Sequence, residues 1–288
     1  MATEAHTPPN PAICGQDLTS RVAIITGASR GLGRTIAFKL ASRGCSILGT
    51  CSSRETLHHL DTLADEIAAS HQSSSSTTPP PKVVGIVGDV YSPTCAEHIA
   101  DALEKHFSSG VDIFISNAAP RSMARVGALN AEHIQTFNTG IIQTPALIVD
   151  ELVKRKMFKR NSRILHISSV RSKKVDFRTP MYCATKAATE ALVRCWADAF
   201  GGKNPEFEFM AGTTANTVLV GLTRTEPVKE LPQHLLDWVL KEWEPLWSMP
   251  KMAEPEDVAD IVGLLCSHEA RWITGSVVSA DGGGMKIL

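Results

Sequence analysis

Val22-Ala23-Ile24-Ile25-Thr26-Gly27-Ala28-Ser29-Arg30-Gly31-Leu32-Gly33 opens the regular part of this 288-residue sequence. The apolar, β-branched start reads as a buried strand. Glycines at 27, 31 and 33 then allow a tight turn before a helix expected to begin near Arg34. Such a turn lets a backbone approach a pyrophosphate closely, and the helix N-terminus adds partial positive charge. The spacing is Gly-x-x-x-Gly-x-Gly rather than the commoner Gly-x-G-x-x-Gly order. Turns need glycine anyway, so the motif gains weight from its place between a first strand and a first helix.

Outward from that turn, further apolar runs recur at Ser46–Thr50, Lys82–Val87, Ile113–Ser116, Arg163–Ser168, Thr217–Val220 and Ser276–Ser279, separated by helical patterns. Short buried-type strands alternating with helices predict α/β architecture. The expectation is a single Rossmann-type, doubly wound, seven-stranded parallel sheet with helices on both faces, spanning 19–288. Ligands then sit beyond the carboxyl ends of the strands. Residues 1–18 are Pro-rich and aperiodic and read as a disordered tail, and the low-complexity stretch 70–82 reads as an exposed insertion.

Composition narrows the function classes. Hydrophobic residues make up 43% and the formal net charge is −1, so no global field recruits nucleic acid or anionic lipid. No apolar run approaches a membrane span, and the start lacks a secretory pattern, so the expected location is cytoplasmic. Seven scattered cysteines without a Cys-x-x-Cys pair read as reduced thiols, not as a disulfide framework or a zinc site. The pair His58-His59 is read as pointing apart on a helix, and no metal is expected.

The second strand ends in Gly49-Thr50-Cys51-Ser52-Ser53-Arg54, with no carboxylate until Glu55. An acidic residue there would hold the ribose 2′-hydroxyl of NAD. Ser52, Ser53, Arg54 and Arg30 suit a 2′-phosphate instead, since guanidinium groups bind phosphate in a fork. NADP(H) is therefore the expected cofactor, against the plainer alternative that both arginines are merely solvated. Tyr182 and Lys186 lie four apart on an expected helix through Phe200 and so share a face. An ammonium there is expected to lower the phenol's pKa and make Tyr182 a usable acid or base. Ser169, at a strand end, is placed to stabilise charge on a substrate oxygen, although strand-end serines are often only turn residues.

Taken in order, these motifs resemble the short-chain dehydrogenase/reductase family over roughly residues 20–284, and within it the carbonyl and 3-oxoacyl-carrier-protein reductases that use NADP(H). The turn Thr26–Gly33 matches the family's Thr-Gly-x-x-x-Gly-x-Gly. Asp89-Val90 resembles the pair that meets adenine, and Asn117-Ala118-Ala119 resembles Asn-Ala-Gly. Asn138 matches the helix asparagine that holds a water against the catalytic lysine. Gly221, Thr223 and Thr225 follow the last catalytic motif, Thr225 matching the residue at the nicotinamide carboxamide. Gly27, Ser29, Arg30, Gly31, Leu32 and Gly33 would bind cofactor phosphates, and Tyr182 and Lys186 the nicotinamide ribose. Three departures stand out: Ala119 for glycine, Val220 for proline, and Gly201–Gly212, expected to be a locally longer loop.

The resemblance implies transfer of the 4-pro-S hydride of NADPH to a carbonyl or imine carbon, with Ser169, Tyr182, Lys186 and Asn138 as the catalytic group. The Trp-rich segment 226–251 reads either as a lid over a bulky apolar or aromatic substrate or as helices packed on the core. Pro120–Val126, with Arg121 and Arg125, would form the opposite rim. The sequence leans towards secondary metabolism. Dehydration, epimerisation or cyclisation on the same fold is the second reading, and a non-catalytic NADP(H)-sensing regulator the third. Family analogy adds a homo-oligomer, a dimer or homotetramer. His166, on a strand, is read as structural.

Overall fold

The computed structural model describes residues 15–73 and 79–286. Its centre is a seven-stranded sheet in the order β3-β2-β1-β4-β5-β6-β7, with every pair parallel. The strands are β1 (Val22–Ile25), β2 (Ser46–Cys51), β3 (Val83–Val87), β4 (Val111–Ser116), β5 (Phe158–Ser169), β6 (Thr214–Val220) and β7 (Val277–Ala280). The expected doubly wound α/β fold is therefore the observed one.

Successive strand residues feed opposite layers, which is why these runs are apolar throughout rather than alternating. Ala23 and Ile25 pack with α1 (Gly31–Ser42), α2 (His58–Ser73) and α9 (Pro255–Cys266). Val22 and Ile24 face the other layer, α3 (Cys95–His106), α5 (Thr144–Lys154) and α6 (Pro180–Phe200). The remaining helices are α4 (Ala131–Phe137), α7 (Glu226–Lys229) and α8 (Gln233–Trp243). The strand order reverses between β1 and β4, and that switch point fixes where a cleft opens.

Several sequence boundaries move. The first helix starts at Gly31, not near Arg34. Residues 17 and 18, expected in a disordered tail, are packed: Leu18 is 1% exposed in the core and Asp17 pairs with Arg43. Residues 1–14 lie outside the described residues. In the stretch 70–82, Ser70 to Ser73 continue α2 and His71 is buried; residues 74–78 lie outside the described residues. β5 begins five residues before the expected Arg163 because its polar start is satisfied by partners distant in sequence, Lys159 by Asp112 and Arg160 by Glu208.

Gly201–Gly212, expected as a locally longer loop, packs on the core. A 3-10 turn over Pro205–Met210 buries Met210 and sets Phe207 edge-on against Phe200. The rings of His58 and His59, the first two residues of α2, lie 4.0 Å apart rather than diverging. Among the described residues no group of His, Cys, Asp and Glu could hold a metal ion, and no helix is long and apolar enough to cross a membrane.

Candidate active site

A cleft of about 580 Å³ opens at the carboxyl ends of β1, β2, β4, β5 and β6. Its floor is the glycine turn. Gly27 has φ +69° and Gly31 φ +54°, a left-handed backbone that glycine adopts without steric cost. Gly33 is there for space: a Cβ would lie 2.2 Å from the Gly27 carbonyl oxygen and 2.5 Å from Asn117 Nδ2. Helix α1 thus sits directly on the turn. Its N-cap, Arg30, makes no side-chain cap, so the first helical N–H groups remain available to an anion.

Asn117 braces this turn. Its Nδ2 donates to the carbonyls of Thr26 at 3.0 Å and Gly27 at 3.3 Å. The N–H groups of Asn117 and Ala118 donate to Thr26 Oγ1. Asp89 lines the cleft, and its Oδ1 accepts the Tyr91 N–H at 3.1 Å. Ser29, Leu32, Ser52, Val90, Ala118, Ala119, Gly221 and Thr225 also line it. Gly221 is confined too, since a Cβ would meet Asp281 Cα at 2.8 Å.

The expected phosphate cage separates in space. Arg30 lines the cleft, and its guanidinium has no ion-pair partner among the described residues. Arg54 and Ser53 lie outside the lining: Arg54 begins an exposed 3-10 turn, Arg54–Thr56, and the Ser53 hydroxyl stays within 3.4 Å of Thr56 Oγ1. Thr223 is outside as well, its hydroxyl donating to the Gly221 carbonyl at 3.1 Å. In their place the cleft gains Thr50, Tyr91, Pro120 and Arg121, none of which the sequence reading assigned to cofactor binding.

At the inner end, Ser169, Tyr182 and Lys186 converge. Ser169 caps a 3-10 turn over Val170–Ser172, its Oγ accepting the Arg171 N–H at 3.2 Å. Tyr182 and Lys186 stand one turn apart on α6, with Lys186 Nζ 5.7 Å from the phenol ring centroid. Lys186 is 2% exposed and donates to the Ile167 carbonyl at 2.5 Å.

The electrostatics differ from the sequence expectation. Burial raises the Tyr182 pKa above its ordinary value, and the hydrogen bond with Ser169 only partly opposes it. Burial also brings Lys186 down to about 7, with the Glu190 charge pulling the other way. The phenol is therefore a protonated group at neutral pH, and the ammonium is only partly charged there. Sequence spacing exposed the pair but not its desolvation.

Asn138 does not line the cleft; it opens a π-helical turn, Asn138–Gln143, between α4 and α5. The cause is Pro145, which has no N–H to donate to Ile141 four residues back. That carbonyl is taken by Thr189 Oγ1 of α6 at 3.2 Å, which fastens the turn beside the catalytic helix. The signal was present in the sequence as a proline inside a helical pattern. His166 is buried on β5 with Nδ1 3.2 Å from Ser116 Oγ, as a structural residue would be.

The segment 226–251 is buried in part and exposed in part. Trp243 is 3% exposed in a small core cluster, whereas Trp238 is 50% exposed. Glu242 of α8 accepts from Arg171 at 3.0 Å, Lys174 at 2.8 Å and Arg178 at 2.9 Å. The guanidinium of Arg178 lies 4.0 Å from the Trp238 ring centroid, and that of Arg171 lies 4.8 Å from Trp243. Helix α8 is thus tied to the segment joining Ser169 to Tyr182.

Comparison with known proteins agrees with this geometry. The family model described as "Enoyl-(Acyl carrier protein) reductase" matches residues 27–285. The short chain dehydrogenase penD of Penicillium thymicola is 30% identical over 277 residues, 94% of each chain. The L-xylulose reductase of Aspergillus niger is 28% identical, covering 93% of this chain and 98% of that one. The solved L-sorbose reductase of Gluconobacter frateurii, complexed with NADPH and L-sorbose, superposes with TM-score 0.78 at 22% identity, over 96% of this chain and 100% of that one. A match running from the glycine turn to the last strand leaves one conclusion: the chain belongs to the short-chain dehydrogenase/reductase family.

Proposed function

We propose that this protein is an NADP(H)-dependent oxidoreductase that reduces a carbonyl or imine of a small, bulky apolar or aromatic metabolite. The observation that carries the reading is the meeting of Ser169, Tyr182 and Lys186 at the inner end of a cleft whose floor is an uncapped, glycine-lined helix N-terminus. The cradle fits a dinucleotide: Gly27 and Gly33 let α1 pack directly on the turn, Gly31 leaves open space beside it, and Arg30, without an ion-pair partner among the described residues, offers its guanidinium to a 2′-phosphate. The L-sorbose reductase complexed with NADPH shares this fold.

A bound NADPH supplies the hydride; the other tasks belong to the chain. Tyr182 Oη holds a proton at neutral pH, because burial raises its pKa, and gives it to the substrate oxygen or nitrogen. Ser169 Oγ donates to that same atom and stabilises its developing charge. Lys186 holds the nicotinamide ribose and, when charged, favours the phenolate left behind. Asn138, at the opening of the π-turn, is assigned the water that returns a proton to Lys186. Val126 N–H donates to the Phe177 carbonyl at 2.8 Å, so Pro120–Val126 and the segment after Ser169 form one rim of the substrate space, with α8 as the other wall. A homo-oligomer belongs to the same proposal.

The test is a panel of ketones and cyclic imines incubated with purified protein and NADPH, with cofactor loss and product both quantified. One NADPH consumed per product, abolished in Tyr182→Phe, is expected. Product formed without NADPH consumption would move the assignment to dehydration, epimerisation or cyclisation.

A further inference from the structure

Glu190 lies one helical turn beyond Lys186 on α6 and is 2% exposed, although buried carboxylates are rare unless partnered. Its Oε1 accepts the Ser168 hydroxyl at 2.9 Å and the Ser172 hydroxyl at 2.5 Å, and its Oε2 accepts Lys173 Nζ at 2.5 Å. Ser168 and Ser172 flank Ser169. Three consecutive β5 residues are thus held by three successive turns of α6: Ser169 by Tyr182, the Ile167 carbonyl by Lys186, and Ser168 by Glu190.

We propose that Glu190 is a positioning residue for the reaction: its buried carboxylate fixes the Ser169 turn against α6 and favours the charged form of Lys186. The inference rests on the oxidoreductase reading above. The groups facing Lys186 are few. On its own helix these are Tyr182, a neutral phenol, and Glu190; from β5 it meets the Ile167 carbonyl and His166, whose imidazole burial holds well below its ordinary pKa and so neutral. From the turn after β5, Lys173 reaches the far oxygen of Glu190 and is itself 30% exposed. Among the described residues, Glu190 is therefore the negative charge acting on Lys186, opposing the desolvation that would strip its proton.

The test uses NADPH binding, followed by cofactor fluorescence from pH 5.5 to pH 9, in wild type, Glu190→Gln and Glu190→Asp. Titration of the 2′-phosphate is common to all variants and cancels in the ratio of variant to wild-type Kd. Loss of the carboxylate should lower the Lys186 pKa further. For Glu190→Gln the Kd ratio should then peak at about three- to fivefold near pH 7 and fall towards one at both ends. Glu190→Asp, which keeps the charge, should stay below about twofold. If Glu190→Gln does not fold, Glu190→Met combined with Lys173→Met removes the ion pair without leaving an unpaired charge and should give the same peak. A ratio independent of pH overturns the inference and leaves the cofactor reading standing. Wild-type protein that binds no NADPH at any pH overturns that reading, and this inference with it.

Discussion

Replacing Gly33 by alanine puts a methyl group where the phosphate-binding turn already fills the space. The new Cβ would lie 2.2 Å from the Gly27 oxygen, 3.0 Å from the Gly27 carbonyl carbon and 2.5 Å from Asn117 Nδ2. Two of these neighbours are backbone, so no rotamer relieves the clash. The third, Asn117, would have to give up its bonds to the Thr26 and Gly27 carbonyls. Overpacking of this kind costs about 1–3 kcal/mol, and the lost hydrogen bonds about 1 kcal/mol each. The exchange itself favours the helix by about 1 kcal/mol, leaving a net destabilisation of about 2–4 kcal/mol. Because the strain falls on the turn, NADPH affinity should drop by about tenfold or more, the equivalent of 1.4 kcal/mol. Gly31→Ala is the control: it has φ +54° but no atom within 4 Å, so it carries only left-handed backbone strain of about 1–2 kcal/mol. Urea unfolding and NADPH fluorescence titration measure both effects. A Gly33→Ala protein as stable as Gly31→Ala, binding NADPH within about twofold of wild type, would refute the steric reasoning.

Tyr182→Phe should lower kcat by about 10²–10⁴-fold, as loss of a positioned acid does, while NADPH affinity stays within about threefold; steady-state kinetics beside a binding titration separate the two. Glu242→Gln should loosen α8, because Arg171, Lys174 and Arg178 all lose a charged acceptor, and hydrogen exchange over 233–243 should rise without global unfolding. The same carboxylate titrates at about 2 in the fold against an ordinary 4.5, so its contribution is full above pH 4.5 and is lost as pH falls towards 2. Melting temperature should therefore fall less steeply with acid in Glu242→Gln than in wild type across that window.

The strands were legible because a sheet buried on both faces writes itself as continuous β-branched runs, as Val22–Ile25 does. The Tyr182–Lys186 pair was legible because helical spacing is local. The polar start of β5 was not, since its residues are satisfied by Asp112 and Glu208 from distant segments. Arg54 read like Arg30 in sequence, yet the turn at Arg54–Thr56 carries it outside the cleft lining. The sign of the Tyr182 pKa shift was misread because spacing reveals a neighbouring charge but not the water that folding removes. Glu190 went unnoticed because its partners, Ser168, Ser172 and Lys173, lie 17 to 22 residues away. The π-turn at Asn138–Gln143 had a local signal in Pro145, which marks any helix irregularity and names none.

Cofactor choice is the most direct test. NADPH and NADH would be titrated by fluorescence against wild type, Arg30→Ala and Arg54→Ala at one ionic strength. The geometry predicts NADPH tighter than NADH by about tenfold or more, since a charge-assisted hydrogen bond contributes about 1.5–3 kcal/mol. Most of that preference should vanish in Arg30→Ala, whose guanidinium lines the cleft, and survive in Arg54→Ala, whose side chain does not. Equal affinities, an NADH preference, or binding of neither cofactor would contradict the assignment.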